Sequence, residues 1–353
     1  MRVKLEDVCE RGSSNLKQSD IIDATGDYPI YGASGYIGNV DFYHQDKPYV
    51  AVVKDGAGIG RTTLHPAKSS VIGTMQYLLP KENVLPEYLC YVVRYMHLEK
   101  YFTGATIPHI YFKDYKNEQF NLDSLERQAE IVDILGKCER VIASREDELQ
   151  KLDELIKARF VEMFGDPRIN PFGYDTEEIG KTCKVITGNT PSRKVPKYYG
   201  DYMEWIKTDN IVSGLLNPTK ATECLSESGA EEGRIVDENA ILMACIAGSI
   251  ASIGRVCVTD RRVAFNQQIN AIVPEKYNTL FLYTLLQISK DYLVEDINMA
   301  LKGILSKSKL EEKVFIVPSM ELQDKFADFI EQVDKSKVVA EKNWNIYNVC
   351  LIA

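Results

Sequence analysis

The sequence lacks the short patterns on which most enzyme assignments rest. It has no Walker A lysine loop, no HExxH and no GxSxG, so P-loop phosphate binding, zincin chemistry and a nucleophile elbow have no support. A self-contained adenine methyltransferase needs Asn/Asp-Pro-Pro-aromatic. The nearest match, Asn170-Pro171-Phe172, lacks the second proline. Nuclease carboxylates keep no fixed spacing, so no short pattern marks them. The four histidines (44, 65, 97, 109) all fall in the first half, which excludes a repeated histidine metal site. The eight cysteines are scattered without a CxxC pair, as expected of reduced thiols in a cytoplasmic protein. No apolar run approaches the ~20 residues of a membrane span. The opening MRVKLEDVCE lacks the apolar core of a leader.

What is present is ordinary globular composition. The chain has 353 residues, 45% apolar and 26% charged, which suits two domains with separate cores. The net charge of −9 argues mildly against nucleic acid. Its distribution softens that: residues 1–123 carry 13 basic and 15 acidic side chains, and 166–320 carry 18 and 20. Each half therefore has enough Lys and Arg for a basic face.

One stretch, residues 124–164, has no proline and a single glycine, Gly136. Ile131, Leu135, Cys138, Ile142, Leu149, Leu152, Ile156 and Met163 recur at 4-3-4-3 spacing, with Arg145 and Arg159 in the remaining seam positions. That period predicts a coiled-coil helix roughly 60 Å long. Before it, Tyr49–Val53 and Ser70–Pro80 read as strands, Pro86–Leu98 as a helix, and Asp55–Gly60 as a glycine-rich turn. After it, Gly165–Gly173 reads as a linker, and Ser319 opens a final helix.

The two halves match. Ile59-Gly60-Arg61 recurs as Ile253-Gly254-Arg255, 194 residues later, and Pro80 as Pro274. Phe120 and Gln128 recur as Phe315 and Gln323 at 195, and the seam positions repeat at 195. Coincidence explains any one match but not an offset held from residue 59 to 156. The expected architecture is mixed α+β: a domain at 1–123, a helix at 124–165, a second domain at 166–318 and a helix at 319–353. The two helices are expected to pair as an antiparallel coiled coil with a pseudo-two-fold axis between the halves.

These residues carry a family likeness. Tyr28-Pro-Ile-Tyr-Gly-Ala-Ser-Gly35, Asp55–Arg61 and Thr106-Ile-Pro-His-Ile-Tyr-Phe112 stand in the first half. Thr187-Gly-Asn-Thr-Pro-Ser192, Trp205-Ile-Lys-Thr-Asp-Asn210, Ile253-Gly-Arg255 and Asn266-Gln267 stand in the second. In this order, duplicated around a long helix, they resemble the specificity (S) subunit of Type I restriction-modification systems over essentially the whole chain. The resemblance implies two target-recognition domains, each reading half of a bipartite site in double-stranded DNA. It implies a coiled coil that sets the gap and two methyltransferase (M) subunits as partners, joined by restriction (R) subunits in the full complex. It implies no catalysis and no cofactor in this chain, with S-adenosylmethionine, ATP and Mg²⁺ on the partners. The second helix stops at Ala353, short of the position near 359 that the 195 offset gives. Weaker binding of one M subunit and ordinary family variation both fit that. An interaction scaffold without DNA binding, and a methyltransferase or nuclease fragment, are the alternatives.

Candidate DNA contacts follow. Thr187, Asn189, Thr190, Ser192, Arg193, Lys194 and Lys197 form a segment of small polar and basic residues suited to phosphate oxygens. Arg also suits bidentate readout of guanine, and Asn266 and Gln267 suit adenine, unless those amides satisfy a strand end. Trp205 is expected in the core, with Lys207 and Asn210 beside it as candidates. Arg61 and Arg255 fit a shared structural salt bridge or a shared phosphate contact. Thr106, His109, Tyr111 and Lys113, and their counterparts Lys302 and Lys307, precede the helices and fit phosphate contact, M-subunit docking or a domain-closing strand. Ser13, Ser14, Lys17 and Lys54 complete the set.

Overall fold

The apolar run Tyr49–Val53 is a strand buried on both faces. Val50 and Val52 meet Leu89 and Val93 of the helix Pro86–Tyr95, while Tyr49, Ala51 and Val53 meet Met75 and Tyr77. Burial on two faces is why the strand reads as a continuous run rather than an alternation. The computed structural model describes residues 1–104, 108–295, 297 and 303–352, with side chains described up to residue 337. The chain divides into two compact units, Met1–Val141 with Tyr347–Ala353, and Ile142–Ile346.

In the first unit a four-stranded antiparallel sheet runs in the order Cys9–Ser13, Met75–Pro80, Tyr49–Val53, Thr62–His65. A three-stranded sheet joins Gly35–Val40, Tyr28–Gly32 and Ser70–Val71. The single strand expected over Ser70–Pro80 is thus two strands in different sheets. The turn between them is held by Gly73 N donating to Leu16 O and Met75 N to Ile72 O. The helix expected to reach Leu98 stops at Tyr95, because His97 adopts a left-handed φ of 51°.

The second unit repeats the plan. Its four-stranded sheet runs Cys183–Thr187, Ile269–Pro274, Ile241–Ala244, Val256–Val258, again antiparallel. The helix Thr279–Ile288 covers it with Phe281, Leu282, Leu285 and Leu286, and Asn278 caps that helix. A five-stranded sheet adds the parallel pair Met203–Ile206 and Val263–Phe265. Small two-stranded sheets also correspond: Arg2–Lys4 with Gln119–Asn121, and Thr176–Glu178 with Val314–Ile316. The offset is not uniform. Val52 faces Gln76, 24 residues on, whereas Met243 faces Asn270, 27 residues on, so the second unit has the longer connection.

The long helices run Leu125–Phe164 and Met320–Ile352. Ser124 Oγ accepts from Arg127 N at 3.3 Å and caps the first. Within the second unit the helices run antiparallel. The Phe160 ring lies 5.4 Å from Phe326, and Lys337 Nζ lies 2.6 Å from Asp153 Oδ1, so contact positions rise on one helix as they fall on the other. The deepest anchors there are Phe160 and Phe164, both fully buried against Phe281 and Phe326. Met163 and Arg159, expected on the seam, lie beside them; Met163 is half-buried, and Arg159 pairs with Glu162 at 2.7 Å. Among the described residues no helix is long and apolar enough to cross a membrane. Seven cysteines are free thiols there, and burial pushes Cys9, Cys245 and Cys257 up to about 12, which makes them inert packing groups.

Candidate nucleic-acid interface

In the second unit the polar segment after the strand Cys183–Thr187 is a braced arm. Gly188 leaves the sheet where a Cβ would lie 2.2 Å from Asn266 O, so only glycine fits. Asn189 then pins the base. Its Nδ2 donates to Glu232 O at 2.7 Å, and its Oδ1 accepts from Arg234 N at 2.7 Å. Thr190 Oγ1 donates to Gln267 Oε1, which brings two candidates together at the surface. Beyond them Thr187, Ser192, Lys194 and Lys197 are exposed, the last with Nζ 5.8 Å from the Tyr198 ring.

Arg193 is the centre of the arm. Its guanidinium lies 4.2 Å from the Tyr199 ring and 5.1 Å from the Trp205 ring, and Nη2 donates to Glu223 Oε2 at 3.0 Å. Lys207 reaches the same carboxylate at 2.6 Å and stands 5.2 Å from Trp205. Trp205 is buried, as the sequence leads one to expect. Stacking on aromatic faces fixes the cations without neutralising them. Hydrogen bonds from Arg193, then from Lys207, hold the Glu223 carboxyl down at about 2, against the opposing effect of burial. Glu223 and Tyr199 escape sequence reasoning. Glu223 lies 30 residues from Arg193, and no local pattern marks the pairing.

Other candidates in this unit are committed to the fold. Asn210 is buried; its Oδ1 accepts from Lys207 N at 3.0 Å and its Nδ2 donates to Lys220 O at 3.2 Å. Asn266 is buried too, and its side chain closes a turn on Gln268 N at 3.0 Å. Neither amide is presented to a base edge, because each is spent on its own loop. Arg255 donates to Thr208 O at 3.1 Å and to Ser252 O at 3.3 Å. Lys307 pairs with Glu311 at 3.5 Å along a short helix.

In the first unit Lys54, His109, Tyr111 and Lys113 come together. His109 Nδ1 stands 2.6 Å from Asp55 Oδ1, and Lys54 Nζ 3.9 Å from Asp55 Oδ2. The His109 and Tyr111 rings lie 6.4 Å apart, and Lys113 Nζ is 5.3 Å from the Tyr111 ring. Arg61 is exposed, with Nη1 donating to Ala33 O at 2.9 Å; like Arg255 it bonds a backbone carbonyl, in place of the expected salt bridge. The turn before it needs its glycines, since Gly56, Gly58 and Gly60 all have φ between 81° and 89°. Ser13 accepts from Arg11 at 3.4 Å, and Lys17 is exposed. Ser14 is a correction: it is buried, and its Oγ accepts from Leu16 N at 3.2 Å. Thr106 and Lys302 lie outside the described residues.

The fold and these surfaces define a duplicated α+β protein with a polar, basic arm and two long helices. A family model, the Type I restriction modification DNA specificity domain, matches residues 1–154 and 171–346, and the chain belongs to that family. The Type I restriction enzyme HindI specificity subunit of Haemophilus influenzae is 30% identical over 116 residues, 32% of this chain and 24% of that protein. The MjaIX specificity subunit of Methanocaldococcus jannaschii is 21% identical over 283 residues, 72% of this chain and 63% of that protein. The chain therefore spans less than two thirds of the length of these curated relatives. The crystal structure of a Type I restriction-modification S subunit from M. genitalium matches with a TM-score of 0.64 at 13% identity, covering 99% of this chain and 93% of that one. A chain from a structural study of complex assembly and conformational transition in the type I R-M system matches with a TM-score of 0.54 at 14% identity, covering 100% of this chain and 95% of that one. At these identities the structural matches speak for the fold.

Proposed function

We propose that this chain is the DNA-reading subunit of a Type I restriction-modification complex and catalyses no reaction itself. Each α+β unit reads one half of a bipartite site in double-stranded DNA. The long helices set the gap between half-sites and dock two methyltransferase subunits, with restriction subunits joining the full complex. S-adenosylmethionine, ATP and Mg²⁺ act on those partners, in the cytoplasm.

The observation that carries this is the duplication. Two units share one strand order, one covering helix and one buried glutamine at the head of a long helix. A duplicated reader suits two half-sites, as the symmetry of dimeric DNA-binding proteins does. In the second unit the arm adds Arg193, Lys194 and Lys197 at the surface, the residue types that contact phosphate and guanine.

Footprinting of the complex with its methyltransferase tests the bipartite role. Two protected segments flanking an unread gap are expected, and one continuous protected site would refute it. Reversing charge at Arg193, Lys194 and Lys197 separates a DNA reader from an interaction scaffold, since only the reader loses DNA affinity. Methyl transfer or DNA cleavage by the pure chain with S-adenosylmethionine or Mg²⁺ would overturn the non-catalytic role.

A further inference from the structure

One carboxylate occupies the centre of the basic arm. Glu223 accepts from both ends of the Arg193 guanidinium and, through Oε2, from Lys207 Nζ at 2.6 Å. An arginine fork with a lysine beside it is the arrangement that holds a phosphate group. The two cations are positioned independently of the carboxylate. Trp205 lies within 5.2 Å of both, and Tyr199 lies 4.2 Å from Arg193. Tyr199 is itself fixed, its hydroxyl donating to Pro191 O at 2.6 Å. The backbone of Glu223 is tied to the platform, because Trp205 N donates to Glu223 O at 3.2 Å. The Arg193 side chain keeps 54% of its surface open, so an anion from solvent can reach it.

We propose that Glu223 is an internal stand-in for a DNA phosphate. It keeps Arg193 and Lys207 neutralised, so that random duplex gains little from them, and it yields when a cognate duplex delivers its backbone to the arm. The proposal rests on the DNA-reading role above. The first unit carries a like arrangement with other residues: Asp55 stands 2.6 Å from His109 Nδ1 and 3.9 Å from Lys54 Nζ. The Arg193 side of the pair is open to solvent, where ion pairs are weak, so exchanging its partner for a phosphate costs little. What the carboxylate removes is non-specific attraction, which in DNA binding comes almost entirely from phosphate contacts.

The test is fluorescence anisotropy of the full chain with a mixed-sequence duplex of about 30 base pairs over a salt series. Glu223→Gln keeps shape and hydrogen bonding but removes the charge. Its affinity should rise about tenfold at low salt, and the slope of log K against log salt should steepen by roughly 1 to 2, near 0.9 for each cation released onto a phosphate. Glu223→Ala carries the same expectation should the first variant fold poorly. Glu223→Asp, which keeps the charge, should leave the slope unchanged, and Glu223→Gln combined with Arg193→Ala should lose most of the gain. A folded Glu223→Gln protein with unchanged or weaker binding and an unchanged slope would overturn the proposal, while Arg193→Ala still weakening binding would leave the DNA-reading role standing. Salt-independent or absent binding by both parent and variant would sink the DNA-reading role and the proposal with it.

Discussion

Gln128 Oε1 accepts a hydrogen bond from Leu85 N at 2.9 Å, across 43 residues of sequence. Its Nε2 donates to Asn83 O at 3.0 Å and to Asp123 O at 2.9 Å. The amide thereby ties the head of the long helix to the loop that opens the covering helix. Gln323 does the same in the second unit, accepting from Asn278 N at 2.9 Å and donating to Pro318 O at 2.8 Å. A primary amide is the side chain that offers an acceptor and two donors at one end. Gln128→Leu would remove the partner of one part-buried N–H and two part-buried carbonyls, each loss costing about 1 kcal/mol. A loss of about 3 kcal/mol in denaturant unfolding is expected, with Gln128→Glu no better because it buries a charge. An unchanged midpoint would show that the amide is dispensable.

Phe160 should be the costliest single truncation on the long helix. It is fully buried among Phe164, Phe281 and Phe326, with ring centroids 5.0 to 5.5 Å away. Phe160→Ala is expected to cost about 3–5 kcal/mol through lost transfer energy and a residual cavity. Differential scanning calorimetry should show the loss, while Ile134→Ala, at an exposed position of the same helix, should be near neutral.

His65 makes the first unit sensitive to acid. It is buried beside Tyr49 and Tyr31, and burial lowers its pKa from 6.5 to about 4. The folded form is therefore neutral at pH 7. Between pH 6.5 and 4 the unfolded chain binds the extra proton, so stability falls as pH drops through that window, by up to about 3 kcal/mol. His65→Gln should flatten this part of the stability profile, and an unaltered profile would assign the acid sensitivity to other groups.

Helix length should set the tolerated spacing of half-sites. Seven residues inserted after Leu149 preserve a 3.5-residue seam and add about 10 Å of helix. Selection of bound sequences from a random pool should then return a different gap, or no binding. A recovered gap and affinity equal to those of the parent would remove the helices from the role of ruler.

The long helix was legible because it lacks proline, keeps an apolar period and begins at a serine whose hydroxyl caps it. Its anchors were less so. Phe160 and Phe164 fall just off the 4-3 seam positions of their own helix, so the heptad count passes over them, yet both pack on Phe281 and on Phe326 of the second helix. The amides of Asn210 and Asn266 carry the residue type of a base reader, yet each binds the backbone of its own loop. Sequence does not distinguish a satisfied amide from an offered one, because the difference lies in where the neighbouring N–H groups point. Glu223 was invisible for the opposite reason, since both its partners lie far away in sequence.

The placement of Phe160 and Phe164 also bears on modular exchange. The apparent hinge at Gly165, whose φ of 73° ends the helix, invites a cut there. A fragment starting at Gly165 would leave Phe281 and Phe326 facing water, with the two rings that plug them left behind. A second unit cut out to fold alone therefore has to begin upstream of Ile156, and a chimera joined at Gly165 depends on the helix it receives supplying two rings that fit Phe281 and Phe326. The joint is set by the core rather than by the linker.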